Sequence, residues 1–165
     1  MPPSRSQLAT AALVGLGATA VMDVGGDVWR RARGTRPLDP ALVGRWVGHM
    51  ARGRMTHRSI RDTPPIWEER VIGWVAHYAI GAACAVGLVA ARPGWLERPT
   101  LTPALATGLA TTAAPWLVMQ PAFGMGVAAS RTPRPGAARW ASLRAHAVYG
   151  TGLWVAGRAA RAVRG

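Results

Sequence analysis

The chain has 165 residues, half of them apolar, with 16% charged residues and a net charge of +13. That charged share is well below the roughly 25% of an ordinary soluble domain, and the length suits one domain with one core. The lone Cys84 excludes an internal disulfide, and the absence of a stacking-and-basic motif argues against nucleic acid as a partner. All 20 basic residues are Arg, with no Lys and no Asn, which is the codon bias of a GC-rich, bacterial genome.

The mean hydropathy of +0.12 hides a segregated pattern, in which apolar runs alternate with short charged stretches. The first run is free of charge from Ser6 to Met22 and continues in helical pattern to Trp29, predicting a span over 7–29. Arg5, the apolar stretch from Leu8 and Ala18-Thr19-Ala20 also fit a cleavable signal peptide, whose removal would leave three spans.

The segment 30–70 follows as a long loop. Asp39 before Pro40 is a helix-start signal, an acceptor side chain ahead of a residue with preset φ. Leu42, Val43, Trp46, Val47 and Met50 then recur at helical spacing with Arg45 and His49 off that stripe, predicting a short interfacial helix. Its functional alternative is a lid over a site. Thr63-Pro64-Pro65 followed by Glu68 and Glu69 is a second start signal, opening a span over 71–91. At about 1.5 Å of rise per residue such a run crosses a hydrocarbon core of about 30 Å.

Leu101 to Ser130 contains no charged residue at all, predicting a third span in which Pro115 and Pro121 bend or break the helix. A fourth is predicted over 140–158, with Arg144 snorkelling to the headgroups and an uncharged stretch from Ala147 to Gly157. The fold expected is therefore all-α, an integral membrane bundle of four transmembrane helices with one interfacial helix. Small residues such as those of Gly81-Ala82-Ala83 and Gly150-Thr151-Gly152 allow close helix approach and leave a homo-oligomer open.

Fourteen of the 20 arginines flank the loops after spans one and three, and six lie on the opposite side. By the positive-inside rule the larger loops face the cytoplasm beside anionic lipid headgroups, and both termini face the periplasm.

Leu42-Val43-Gly44-Arg45-Trp46-Val47-Gly48-His49-Met50, Gly73-Trp74-Val75-Ala76-His77-Tyr78, Met119-Gln120-Pro121-Ala122 and Ala129-Ser130-Arg131-Thr132-Pro133 together resemble a bacterial membrane-protein family, DUF2938, over most of the chain. The resemblance implies membrane location and four helices. It supplies no activity and no functional residues.

No phosphate loop, nucleophile elbow, His-Glu-x-x-His pair or paired-cysteine motif occurs, and no cofactor is indicated by any motif. Ionisable residues inside the spans are the functional candidates that remain. Asp27 has partners three and four residues on, in Arg30 and Arg31. Asp23 is deeper and needs a partner from another helix. His77 lies about 9 Å of rise into the second span and His146 about 7.5 Å into the fourth, from the side where Asp23 ends the first. Asp23, His77 and His146 are therefore expected to form one polar layer, with Gln120 approaching from the third span. Three readings compete: interhelical structural glue in a membrane scaffold, a proton or solute path, and a metal or haem site on His77 and His146. In the first loop, His49 and His57 read as solvated. Arg45, Arg52, Arg54 and Arg58 are anion- or headgroup-binding candidates for a lipid-active enzyme.

Overall fold

The structure, a computed structural model, describes residues 2–34 and 39–164, and every regular element among them is helical. Helix α1 (Arg5–Arg33) opens on a capping box, in which Ser4 Oγ accepts from the Gln7 N–H at 3.2 Å and Gln7 Oε1 accepts from the Ser4 N–H at 2.8 Å. It closes on Gly34, whose φ of 62° lets its N–H reach the Arg30 carbonyl at 2.9 Å. The helix expected after Asp39 is α2 (Pro40–Met50), with the Asp39 carboxylate accepting from the Ala41 N–H at 3.0 Å. Helix α3 (Glu69–Ala91) begins later than the Thr63-Pro64-Pro65 signal implied, because Thr63 is occupied within the loop and Glu68 takes a left-handed φ of 57°.

α1 and α3 are long and apolar enough to cross a membrane, and only 28% and 22% of their most apolar windows are buried. Four transmembrane helices are not what the helices show by themselves. Within 101–130, α4 (Leu101–Ala110) stops after 10 residues and the chain turns at Thr111 and Thr112. The break follows from Pro115, which has no N–H for the Thr111 carbonyl and whose ring would press on it. Helical winding resumes at Ala113, widens to a π-turn over Pro115–Met119 closed by the Gln120 N–H on the Pro115 carbonyl, and runs into the single turn α5 (Gln120–Ala122). From Phe123 the chain leaves the helix through Gly124 and Gly126, both at positive φ. The last helix, α6 (Pro135–Arg164), is longer than the expected 140–158 and carries Arg139, Arg144 and Arg158 within its length.

Two compact units divide the described residues, one built from 2–34, 78–111 and 144–164, the other from 39–77 and 112–143. The core of the first joins Ala11, Val14 and Ala18 of α1 to Ala85, Leu88 and Val89 of α3, with Trp95, Leu96, Ala104, Tyr149 and Leu153. Its helices meet backbone to backbone. A Cβ on Gly15 would lie 2.6 Å from both the Ala82 Cα and the Gly81 carbonyl oxygen, and one on Gly108 would lie 2.6 Å from the Gly150 Cα. In the second unit Leu42, Val43, Ile60, Ala122 and Phe123 form the core, and Gly44 and Gly73 allow α2 to touch the start of α3.

Gly15→Ala should therefore lower stability by about 1–3 kcal/mol through overpacking. Gly26→Ala, where a Cβ meets nothing within 4 Å, should stay within about 0.5 kcal/mol of the parent. Thermal unfolding of the two purified variants checks the contrast, and equal effects would argue against the backbone contact.

Candidate functional site

In the first unit the polar side chains gather one turn away from a fixed level of contact. That level is set by Gly81, whose carbonyl accepts from the Tyr149 hydroxyl at 2.6 Å and whose missing side chain makes room for Thr19. One turn onward from Thr19 is Asp23, and one turn back from Gly81 is Tyr78, whose hydroxyl is hydrogen-bonded to the Asp23 carboxylate. One turn back from Tyr149 is His146, whose Nδ1 lies 2.8 Å from Thr111 Oγ1. The Thr111 hydroxyl donates to the Gly108 carbonyl at 2.6 Å, so its oxygen receives the His146 Nδ1–H, which in the neutral form of the ring makes Nε2 the acceptor nitrogen.

Asp23 thus has a partner from another helix, and it is Tyr78, a residue that sequence reasoning passed over. A phenol in an apolar run carries no local mark of such a role. His77 belongs to the second unit and packs edge-on against Trp74, with ring centroids 5.8 Å apart. Asp27 pairs with Arg30 and with Arg31, the latter at 2.7 Å, as its spacing implied. Arg144 stacks on Trp29 at 4.1 Å from the ring centroid, with Arg33 at 5.1 Å from the same ring.

The second unit holds a polar cluster in the loop after α2. Four-residue spacing puts Arg45 and His49 on one face of α2, and that face pins the loop. Arg45 Nε and Nη2 bind the two carboxylate oxygens of Glu69 at 2.8 Å each, while Nη1 donates to the carbonyls of Ile60, Arg61 and Thr63. Arg45 is thereby committed to Glu69 and the loop backbone, whereas Arg52, Arg54 and Arg58 are exposed. The pair is mostly buried, at 12% and 17% side-chain exposure, and each partner favours the charge of the other: Glu69 holds the Arg45 guanidinium above its ordinary value.

His49 and His57 are not solvated, as loop residues among arginines were expected to be. Both are buried, with rings 5.4 Å apart in edge-to-face contact. The His49 Nε2–H donates to the Pro64 carbonyl at 3.1 Å. The His57 backbone N–H donates to the Ala122 carbonyl at 2.8 Å, which ties the loop to the end of α5. Burial first, then the charge of Arg54 and the neighbouring His49, holds the His57 imidazole below its usual pKa. Gln120, expected in the polar layer, is buried in this second unit. Among the described residues no group of three or more His, Cys, Asp or Glu could hold a metal ion.

Removing one partner of the ion pair strands a mostly buried charge, so Arg45→Ala should cost about 3 kcal/mol or more. The paired replacement Arg45→Met with Glu69→Leu should recover most of that loss in thermal unfolding, and failure to recover would place the cost in the loop carbonyls instead.

The depressed pKa of His57 fixes the sign of a pH effect. The unfolded chain takes up a proton near pH 6.5 that the folded loop refuses. Stability is therefore fully present above that pH and is lost as pH falls toward the folded value, at no more than about 1.4 kcal/mol per pH unit. Unfolding scans from pH 8 to pH 5 should show this decline in the parent and a shallower one in His57→Asn.

Residues 12–160 match the family described as Protein of unknown function (DUF2938). No curated protein and no solved structure matches the chain. The match spans nearly the whole sequence, and the chain belongs to the DUF2938 family.

Proposed function

We propose that this is a multi-pass protein of the bacterial cytoplasmic membrane, whose four apolar segments cross the bilayer and whose Asp23–Tyr78 and His146–Thr111 pairs carry protons or a small polar solute through it. Exposed apolar side chains support the membrane reading. They occur on every segment: Leu13 and Val24, Val75 and Ile80, Leu117 and Val118, Trp140 and Val155. In water such a surface would drive association, whereas in lipid it is the expected exterior.

The observation that carries the transport reading is the common level of the two pairs, each one turn from the Gly81 contact. An Asp inside a bilayer costs about 2.5 to 3.5 kcal/mol at the helix centre, so its retention beside a phenol argues for use. Carboxylate, phenol and imidazole exchange protons through hydrogen bonds, and the acceptor nitrogen of His146 supplies a relay position. Anionic headgroups are the proposed partners of the exposed arginines. Arg158, Arg161 and Arg164 line open clefts at the end of α6, and Arg158 lies 5.6 Å from the Trp154 ring, a pairing suited to the interface. The distribution of Arg supports an orientation with both termini in the periplasm.

Two measurements test the reading in sequence. The protein should resist carbonate extraction from membranes, and its release would remove the membrane assignment. In proteoliposomes with an imposed pH gradient, the parent should dissipate the gradient, with Asp23→Asn and His146→Gln near the protein-free baseline. A parent indistinguishable from empty liposomes would leave the polar pairs as interhelical glue.

A further inference from the structure

The second unit contains buried polar atoms that its own residues leave without hydrogen bonds: His57 Nε2, Gln120 Oε1, Trp116 Nε1 and Thr112 Oγ1. His57 is 5% exposed, Gln120 8% and Thr112 3%, so bulk solvent does not satisfy them. A buried polar atom without a partner costs roughly 1–3 kcal/mol, so a group that hydrogen-bonds to it binds with that advantage.

The chemistry that would satisfy these atoms follows from the hydrogen bonds around His57. The Thr63 hydroxyl donates its one hydrogen to the Ser59 carbonyl at 2.9 Å. Its oxygen, 3.1 Å from His57 Nδ1, can then only accept, so the neutral imidazole carries its proton on Nδ1 and presents a lone pair at Nε2. Burial and the charges of Arg54 and His49 favour that neutral form. The Gln120 carbonyl oxygen is likewise an acceptor. The two belong to adjoining segments, since the His57 N–H binds the carbonyl of Ala122 and the Ile60 N–H that of Phe123 at 3.2 Å.

Two unfilled acceptors repel an anion, and a metal ion would lack a third ligand among the described residues. A small organic cation would meet the field of Arg54. What remains is a neutral hydrogen-bond donor, of which water and the hydroxyl group are the smallest. Trp116 Nε1 and Thr112 Oγ1, on the segment leading to Gln120, are further unpartnered atoms of the same unit.

We propose that the loop unit is a binding site for a neutral O–H donor, held by His57 Nε2 and Gln120 Oε1, the donor being an ordered water or the hydroxyl of a small polyol. The site is distinct in residues and in unit from the Asp23–Tyr78 and His146–Thr111 pairs.

Nitrogen-15 NMR of histidine-labelled protein tests it, with the His57 signals assigned by their loss in His57→Asn. The expected result is the Nδ1–H tautomer, with an Nε2 frequency that moves in Gln120→Leu and is retained in Gln120→Glu, which keeps an acceptor oxygen. Glycerol is the probe for the polyol. A glycerol-dependent shift of Nε2 identifies a solute hydroxyl, whereas an Overhauser cross-peak from water to the ring Hε1 or Hδ2 with no glycerol response identifies water. An Nε2–H tautomer in the parent overturns the proposal without any variant having to fold. So does an Nε2 signal that responds to neither glycerol nor water.

Discussion

Contact between helix backbones at glycine is the constraint on which the other features depend. Gly15 lies on Gly81 and Ala82, Gly81 on Thr19, Gly108 on Gly150, and Gly152 on Ala18, while Gly44 and Gly73 bring α2 onto α3 in the second unit. Helices this close share no room for large side chains, so Leu13, Val24, Val75 and Ile80 are turned outward. The result is small residues where the helices touch, with Leu88, Trp95, Leu96 and Leu153 filling the core between those contacts and other large apolar residues left on the surface. Such packing rests on dispersion and on fixed backbone geometry, which makes it intolerant of one added methyl group.

That fixed geometry also sets where polar groups can meet. Because Gly81 holds α1 and α6 at one level through Thr19 and Tyr149, Asp23 and Tyr78 have no choice of register. The same small device recurs in both units to orient a histidine. A threonine commits its hydroxyl hydrogen to a nearby carbonyl and receives the imidazole Nδ1–H, as Thr111 does for His146 and Thr63 for His57. An imidazole is thus oriented without a carboxylate beside it, which avoids burying an additional charge.

The sequence made local features legible and left long-range ones hidden. Asp39-Pro40 announces α2, Pro115 accounts for the break after α4, and Asp27 reveals its arginine partners, because each acts within one turn. The Arg45–Glu69 pair spans 24 positions, and nothing near either residue marks it. The burial of His49 and His57 was equally hidden, since the loop is held by carbonyls of Ile60, Thr63, Pro64 and Ala122 rather than by any periodic pattern. Gln120 was visible as a polar residue in an apolar run. Its environment depends on a loop that arrives from more than fifty positions upstream, which periodicity cannot register.

The π-turn over Pro115–Met119 gives that segment an unusual tolerance of a change in length. A π-turn accommodates one residue more than an α-turn, and here it accommodates it just before Pro121, where an ordinary helix would be obstructed. Loss of a single codon within the turn would let the segment relax to α-helical winding while the residues on either side keep their facing, whereas the same loss in an α-helix turns everything after it by about 100° about the axis. Gln120 would keep its face of the segment, and the cost would fall on the proline, whose ring meets the preceding carbonyl once the wide turn is gone. Length variation of one residue between family members should therefore be absorbed at this point and be disruptive in the α-turns beside it.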